Sequence, residues 1–211
     1  MIELHASGSG GMALEELVRS GEVSGVLDIT ASEVVNEILG GIYSAGPNRL
    51  EAAGAMGIPQ VISLGAYDFA NFGPKETIPE KYRGRNFFFY TPSITLMRTS
   101  VEENILFGKV VADKLNKSRG PTALLVPRHG FSALDRKASG RHKMNMDGTI
   151  TGEWYDPEAD LALIDSLKRH LDLSKVSFQE VDLHINDPQF AEMAVELLDN
   201  LMQPIGERKK V

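Results

Sequence analysis

The chain has 211 residues, a length that suits one domain able to bury roughly 70% of its unfolded surface. Acidic residues outnumber basic ones by 29 to 22, and a net charge of −7 argues against a nucleic-acid surface as its main business. With 0 Cys there is no disulfide, thiolate metal site or cysteine nucleophile, and no apolar run approaches the roughly 20 residues that span a bilayer. No signal-peptide pattern opens the chain. The expectation is a soluble cytoplasmic protein that binds neither nucleic acid nor membrane.

Short apolar runs alternate with helical patterns in chain order. "IELHA" (2–6) reads as a first strand and Gly11–Ser20 as a helix. "VSGVLDI" (Val23–Ile29) is a second strand, after which Thr30 with Glu33 has the form of a capping box opening a helix to about Gly40. Pro47 fits the first turn of the next helix, and Gly57 closes it. "PQVISLG" is a third strand and "FFFY" (Phe87–Tyr90) a fourth. Ser100 and Glu103 cap a long helix to about Lys117, followed by the strand "PTALLVP". Pro157 begins a helix to about Leu171, "VSFQEVDLHI" is a further strand, and Pro188 starts the last helix. The tail "GERKKV" is expected to fray.

This alternation predicts βαβ units: a Rossmann-like α/β fold whose mainly parallel sheet carries helices on both faces. Residues 1–211 are then one domain. Ligands of such sheets bind at the C-terminal edge of the strands, so function is sought in the segments that follow them. Two irregular stretches stand out, Tyr67–Arg85 and the polar, glycine-dotted Arg136–Trp154 (136–154), which reads as a mobile insertion or flap.

Gly8, Gly10 and Ala13 satisfy G-x-G-x-x-A, the looser dinucleotide fingerprint, between a strand and a helix. Glycines admit backbone close to a phosphate, and a helix N-terminus adds unpaired N–H donors. The candidate phosphate turn is therefore Ser7, Gly8, Ser9, Gly10 and Gly11, with Asp28 placed where a ribose-binding acid would sit. The other reading is a turn that needs small residues only for packing. Arg49, in the first turn of a helix opened by "SAGPNRL", and Arg98, ahead of a capped helix, can help to hold a phosphate; the plain alternatives are a mere turn at the first and an exposed arginine at the second. In "LGAYDFANFGP" aromatics can sandwich a base while Asp68 and Asn71 read its edge, unless they merely anchor their own loop.

Catalytic candidates are sparser. Gly130 and Ser132 follow the fifth strand in part of a nucleophile-elbow pattern, but Leu134 stands where G-x-S-x-G needs glycine. His129 and His184 can supply a base to Ser132, with Asp68 or Asp187 as the orienting acid. A buried, hydrogen-bonded His184 is the plain alternative. Asp156, Glu158 and Asp160 are spaced like metal ligands, yet Asp-Pro-Glu is also how a helix begins, and capping is preferred. No dedicated metal site is expected.

Taken together, "HASGSGG", "SAGPNRLEAA", "TLMRTSVEEN", "GFSALD", "YDPEADLAL" and "HINDPQFAEMAV" resemble, in this order, the carboxy-terminal half of the Tm-one-like ATP-binding family. That largely uncharacterised family includes the amino-terminal region of a plant tobamovirus-resistance protein. The resemblance implies two Rossmann-like subdomains, ATP as ligand and no settled reaction. Family members carry an amino-terminal subdomain before the glycine turn, so a partner subdomain or chain is expected, with a homo- or hetero-oligomer. "KASGRHKMNMDGTITGEW" is longer than the family's link at that place.

Two readings follow. In the favoured one the chain binds a nucleotide, ATP first, on Ser7–Gly11, with help from Arg49 or Arg98 and Mg²⁺ bridged by Asp28 or Asp68. The alternative is an enzyme, of hydrolase or lyase type, acting on a small carboxylate- or phosphate-bearing metabolite through His129, Ser132 and His184. No G-x-x-x-x-G-K-[ST] loop supports P-loop hydrolysis.

Overall fold

A computed structural model describes residues 1–204; the tail expected to fray, Gly206–Val211, lies outside the described residues. Four strands, β1 (Val26–Asp28), β2 (Gln60–Ile62), β6 (Thr122–Pro127) and β9 (Val176–Val181), form a wholly parallel sheet in the order β1-β2-β6-β9. In the central β2 and β6 successive residues alternate between two buried faces, while Leu27 of the edge strand β1 is exposed and β9 is largely half-buried. Ala123 and Leu125 of β6, with Val61 of β2, pack on Phe190, Ala194 and Leu197 of helix α6 (Pro188–Met202). Leu124, Val126 and Ile62 face the larger core. There they meet Phe107, Val111 and Leu115 of α4 (Val101–Leu115), Leu163, Ile164 and Leu167 of α5 (Pro157–His170), and Val34 and Val35 of α2 (Glu33–Leu39). Helix α1 (Ser9–Arg19) and the short α3 (Ala52–Met56) cover the β1 side through Val18, Ala52 and Ala53. The α/β class with helices on both faces is as the sequence indicates.

A second sheet is not foreseen. It is antiparallel, in the order β3-β5-β4-β7-β8, with β3 Phe69–Phe72, β4 Phe87–Thr91, β5 Ile94–Arg98, β7 His142–Met144 and β8 Ile150–Glu153. "FFFY" is thus a strand of this sheet and not of the parallel one. The stretch after Tyr67 supplies β3 and two single 3₁₀ turns, at Lys75–Thr77 and Glu80–Tyr82. Within 136–154, β7 and β8 form a hairpin on the sheet's outer edge, and Trp154 is wholly buried among Phe69, Phe88, Leu96 and Leu134.

Three local expectations fail. No strand forms at 2–6, because among the described residues no strand pairs with it; the Ser7 N–H turns back to the His5 carbonyl at 2.8 Å and Ile2 is 56% exposed. Thr30 and Glu33 make no capping box, since Ser32 holds the N-cap of α2 and Glu33 is used elsewhere. Pro47 lies in a turn, and helix α3 begins only at Ala52, after Leu50 takes a left-handed φ of 70°. The box at Ser100 does form: Ser100 Oγ accepts from the Glu103 N–H and the Glu103 carboxylate accepts from the Ser100 N–H at 2.8 Å. Gly57 closes α3 with φ 74°.

Candidate functional site

The segments that follow β1, β2, β6 and β9 meet at one edge of the parallel sheet, and two buried arginines organise them. The first is Arg49. Its guanidinium makes a two-pronged pair with Asp28 at the end of β1, at 2.5 and 2.9 Å, and its Nε donates to Glu33 Oε2 at 2.5 Å. Glu15, on the inner side of α1, lies 3.6 Å from the same guanidinium and accepts the Leu50 and Ala52 N–H groups at 2.7 and 2.8 Å. Burial works against the charge on Arg49, but Asp28 and Glu33 more than offset it and keep the side chain firmly protonated.

The glycine turn closes onto this cluster. The Gly8 and Gly11 N–H groups donate to one oxygen, Glu33 Oε1, at 2.7 and 2.9 Å. A Cβ on Gly11 would stand 2.1 Å from the Glu33 carboxylate, and one on Gly10 would stand 1.8 Å from the His5 carbonyl. Gly8 takes φ 85°. The turn thus receives an anion, and here that anion is an internal carboxylate. Ser9 and Gly10 remain at least partly exposed beside it, and Ser7 is half-buried with its hydroxyl turned to the His5 carbonyl. Tyr67, fully buried, directs its ring edge-on to Phe107, and its hydroxyl has no hydrogen-bond partner. Burial pushes that phenol far above its ordinary pKa.

Arg98, from the end of β5, organises the second cluster. It donates to Asp160 at 2.9 Å, lies 3.4 Å from Asp135, and reaches the carbonyls of Asp68, Trp154 and Asp156. Asp68 Oδ2 accepts from both Ser132 Oγ and Trp154 Nε1 at 2.8 Å, while its Oδ1 is buried without a partner. Burial, together with the neighbouring carboxylates, raises Asp68 and Asp160 to about 6 and Asp135 to about 7. Three acids around one cation hold a proton near neutrality.

The expected site residues therefore separate. Asp28, Arg49, Asp68, Asn71 and Arg98 are all buried and bonded within the chain. Asn71 exchanges hydrogen bonds with Asn36, its N–H reaching Asn36 Oδ1 at 2.9 Å, and so ties β3 to α2. The aromatics of that loop pack inward: Phe69 on Trp154 and Phe72 on Tyr82. His184 Nε2 bonds to the Ser132 carbonyl at 3.0 Å, not to the hydroxyl, and Nδ1 accepts the Asn186 N–H at 3.1 Å. Both ring nitrogens serve main chain, with the proton placed on Nε2 by that network. His129 is exposed, its N–H tying it to Leu183. Ser132 is paired with a carboxylate and no imidazole. Asp156 caps α5 through the Ala159 N–H and holds Lys143 at 3.0 Å, so the first acid of "YDPEAD" is a cap, while its Asp160 is a buried partner of Arg98. Among the described residues no group of three or more His, Asp or Glu side chains is arranged to hold a metal ion.

Sequence reasoning missed Glu15, Glu33, Asp135, Asp160 and Trp154 as members of these clusters. One signal existed: Glu15 falls on the same helical face as Leu14 and Val18, where an unpaired acid would be too costly.

Residues 1–202 match the C-terminal domain of an uncharacterised protein family, UPF0261. The chain belongs to that family. It is 44% identical over 203 residues to a UPF0261 protein of Clostridium tetani, which covers 96% of this chain and 47% of that protein. It is 39% identical to the ToMV resistance protein Tm-1(GCR237) of Solanum lycopersicum, over 91% of this chain and 24% of the tomato protein. It is 38% identical to the tomato ToMV susceptible protein tm-1(GCR26) over the same share. The UPF0261 chain thus spans about half the length of the bacterial relative and a quarter of the tomato ones. The resistant and susceptible forms match it alike, so this likeness does not speak to resistance. No helix among the described residues is long and apolar enough to cross a membrane.

Proposed function

We propose that this UPF0261 domain is the anion-receiving lobe of a nucleotide-binding protein, ATP first, with the phosphates taken up at the glycine turn. One observation supports the reading above others. Two turn N–H groups converge at 2.7 and 2.9 Å on a single anionic oxygen, in a cradle that a side chain on Gly11 would fill. That is the chemistry by which a strand–helix junction holds phosphate. Glu33 occupies the donors, so binding requires that Glu33 yield them. Arg49, bonded to the same carboxylate, places a cation beside the incoming charge. Ser7 and Ser9 supply hydroxyls at the rim. Mg²⁺ would arrive with the phosphates, since such ions commonly keep most of their ligands from phosphate and water. The remaining wall of the site falls to the amino-terminal region that the longer relatives carry.

Calorimetric titration of the chain with ATP and Mg²⁺, with adenosine as comparator, tests this. Micromolar binding of ATP and none of adenosine is expected. Glu33→Gln should tighten binding several-fold, because a neutral amide competes for N–H donors about half as strongly as a carboxylate. No heat with ATP, or an affinity indifferent to Glu33→Gln, defeats the reading.

A further inference from the structure

On the reading above, phosphate takes the Gly8 and Gly11 N–H groups, and the Glu33 carboxylate must then be rehoused inside the protein. Glu33 is wholly buried; its Oε2 is held by Arg49 Nε at 2.5 Å, so it is Oε1 that gives up its partners. A buried carboxylate oxygen without a donor is costly, and the displaced Oε1 needs a hydrogen bond close by. The neighbouring donors are in use: the Leu50 and Ala52 N–H groups serve Glu15, and Arg49 gives both terminal nitrogens to Asp28. Among the described residues, four buried side-chain atoms lack a hydrogen-bond partner: Ser63 Oγ, Tyr67 Oη, Asp68 Oδ1 and Asn104 Oδ1. Asn104 Oδ1 can only accept, and Asp68 belongs to the Arg98 cluster. Ser63 stands one residue past Ile62 and falls by strand alternation on the α6 side, with Val61. Tyr67 is the spare donor on the side of the Arg49 cage.

Its ring lies in the same core cluster as Ala31, Val34 and Leu50, the apolar neighbours of Glu33 and Arg49 along the chain. The charges its phenol feels are those of Arg49, Asp28 and Glu33, and burial keeps it protonated, hence a donor. The backbone fixes where that ring stands. Ala66 takes a left-handed φ of 58°, a strained conformation for a residue with a side chain, and its N–H is held by the Phe131 carbonyl at 2.8 Å. The Tyr67 N–H goes to the Leu64 carbonyl at 3.2 Å, and the Tyr67 carbonyl accepts from Thr99 Oγ1 at 3.1 Å. Two main-chain bonds of 2.9 Å, from Ser63 N–H to the Asp28 carbonyl and from Gly65 N–H to the Ile29 carbonyl, tie this segment to the end of β1 that carries Asp28. A preset ring with an unused hydroxyl suits a partner that arrives only in a second state.

We infer that Tyr67 is a positioning residue for the anion site: as the anion enters, the Glu33 carboxylate swings from the glycine turn onto the Tyr67 hydroxyl. Tyr67 has this role only if phosphate enters at the glycine turn, as proposed above. Tyr67→Phe removes the hydroxyl alone. In the free chain no bond is lost, so the urea midpoint should be unchanged or higher. In calorimetric titration with ATP and Mg²⁺ the same variant should bind about tenfold more weakly than the parent. With Glu33→Gln in place, whose neutral amide needs the hydroxyl less, Tyr67→Phe should weaken binding by about threefold or less. An ATP affinity indifferent to Tyr67→Phe overturns the inference and leaves the phosphate reading standing. An equal loss in both backgrounds also overturns it, since Tyr67 would then act on the ligand and not on Glu33. A lowered urea midpoint for Tyr67→Phe assigns the hydroxyl a structural role and does the same. No binding of ATP by the parent chain removes both readings together.

Discussion

Arg98 stands among Asp68, Asp135 and Asp160, two more carboxylates than its charge can balance. Burial, then mutual repulsion, lifts these acids to about 6, 7 and 6, well above an unfolded value of about 3.9. Each therefore favours the fold while protonated: its contribution is complete below about pH 4 and is lost as pH rises through 6 to 7. The chain should be less stable at pH 8 than at pH 5, by on the order of 2 kcal/mol from this cluster, read from urea midpoints at the two pH values. Asparagine at 135 keeps an acceptor for the Phe131 N–H, bonded at 3.0 Å, and mimics the protonated acid toward Asp160. Asp135→Asn should flatten that slope, and a slope left unchanged would refute the shared-proton account. Asp68 and Arg98 stand out in the sequence as polar candidates, whereas Asp135 does not, and the contact among the three leaves no local sign. The 37 and 62 residues that separate Arg98 from Asp135 and Asp160 leave no trace in local pattern.

Two stretches carry the same helix-starting signature, and only one uses it. Ser100 and Glu103 satisfy each other across the first turn of α4, and Glu103 also takes Arg85 at 2.7 Å. At α2 the equivalent pair is Thr30 and Glu33, yet Thr30 is exposed and Glu33 reaches the glycine turn 22 and 25 residues away. A capping bond is worth about 1 kcal/mol, whereas a buried carboxylate gathering an arginine and two N–H donors is worth more. The tertiary use wins. Ser100→Ala should lower stability by about 1 kcal/mol and Thr30→Ala by almost nothing, measured as denaturant midpoints. Equal losses at the two positions would show that α2 is capped locally after all.

At the scale of the molecule, the parallel and antiparallel sheets share one core, in which Phe87, Met97 and Phe72 meet Phe107 and Val126. Trp154 is the only tryptophan and is wholly buried; its indole N–H bonds Asp68, in the segment between β2 and β3, and its own segment leaves β8 for α5. Its fluorescence therefore reports on the junction of both sheets. In urea, tryptophan emission and far-ultraviolet circular dichroism should trace a single coincident transition. Two separated transitions would mean that the antiparallel sheet unfolds by itself.

The amino-acid sequence by itself determined the parallel α/β sheet, the order of its helices, the α4 cap and the family resemblance, because periodicity, capping and turn chemistry act within a few residues. It also marked the glycine turn as a place for an anion. Only the tertiary structure decided which anion stands there, that Arg49 and Arg98 are buried in carboxylate cages, and that "FFFY" pairs in a second sheet. Those outcomes rest on contacts such as Phe87 with Met144, in which strands distant in sequence meet, and on burial, which turns charged residues inward only where a distant partner is waiting.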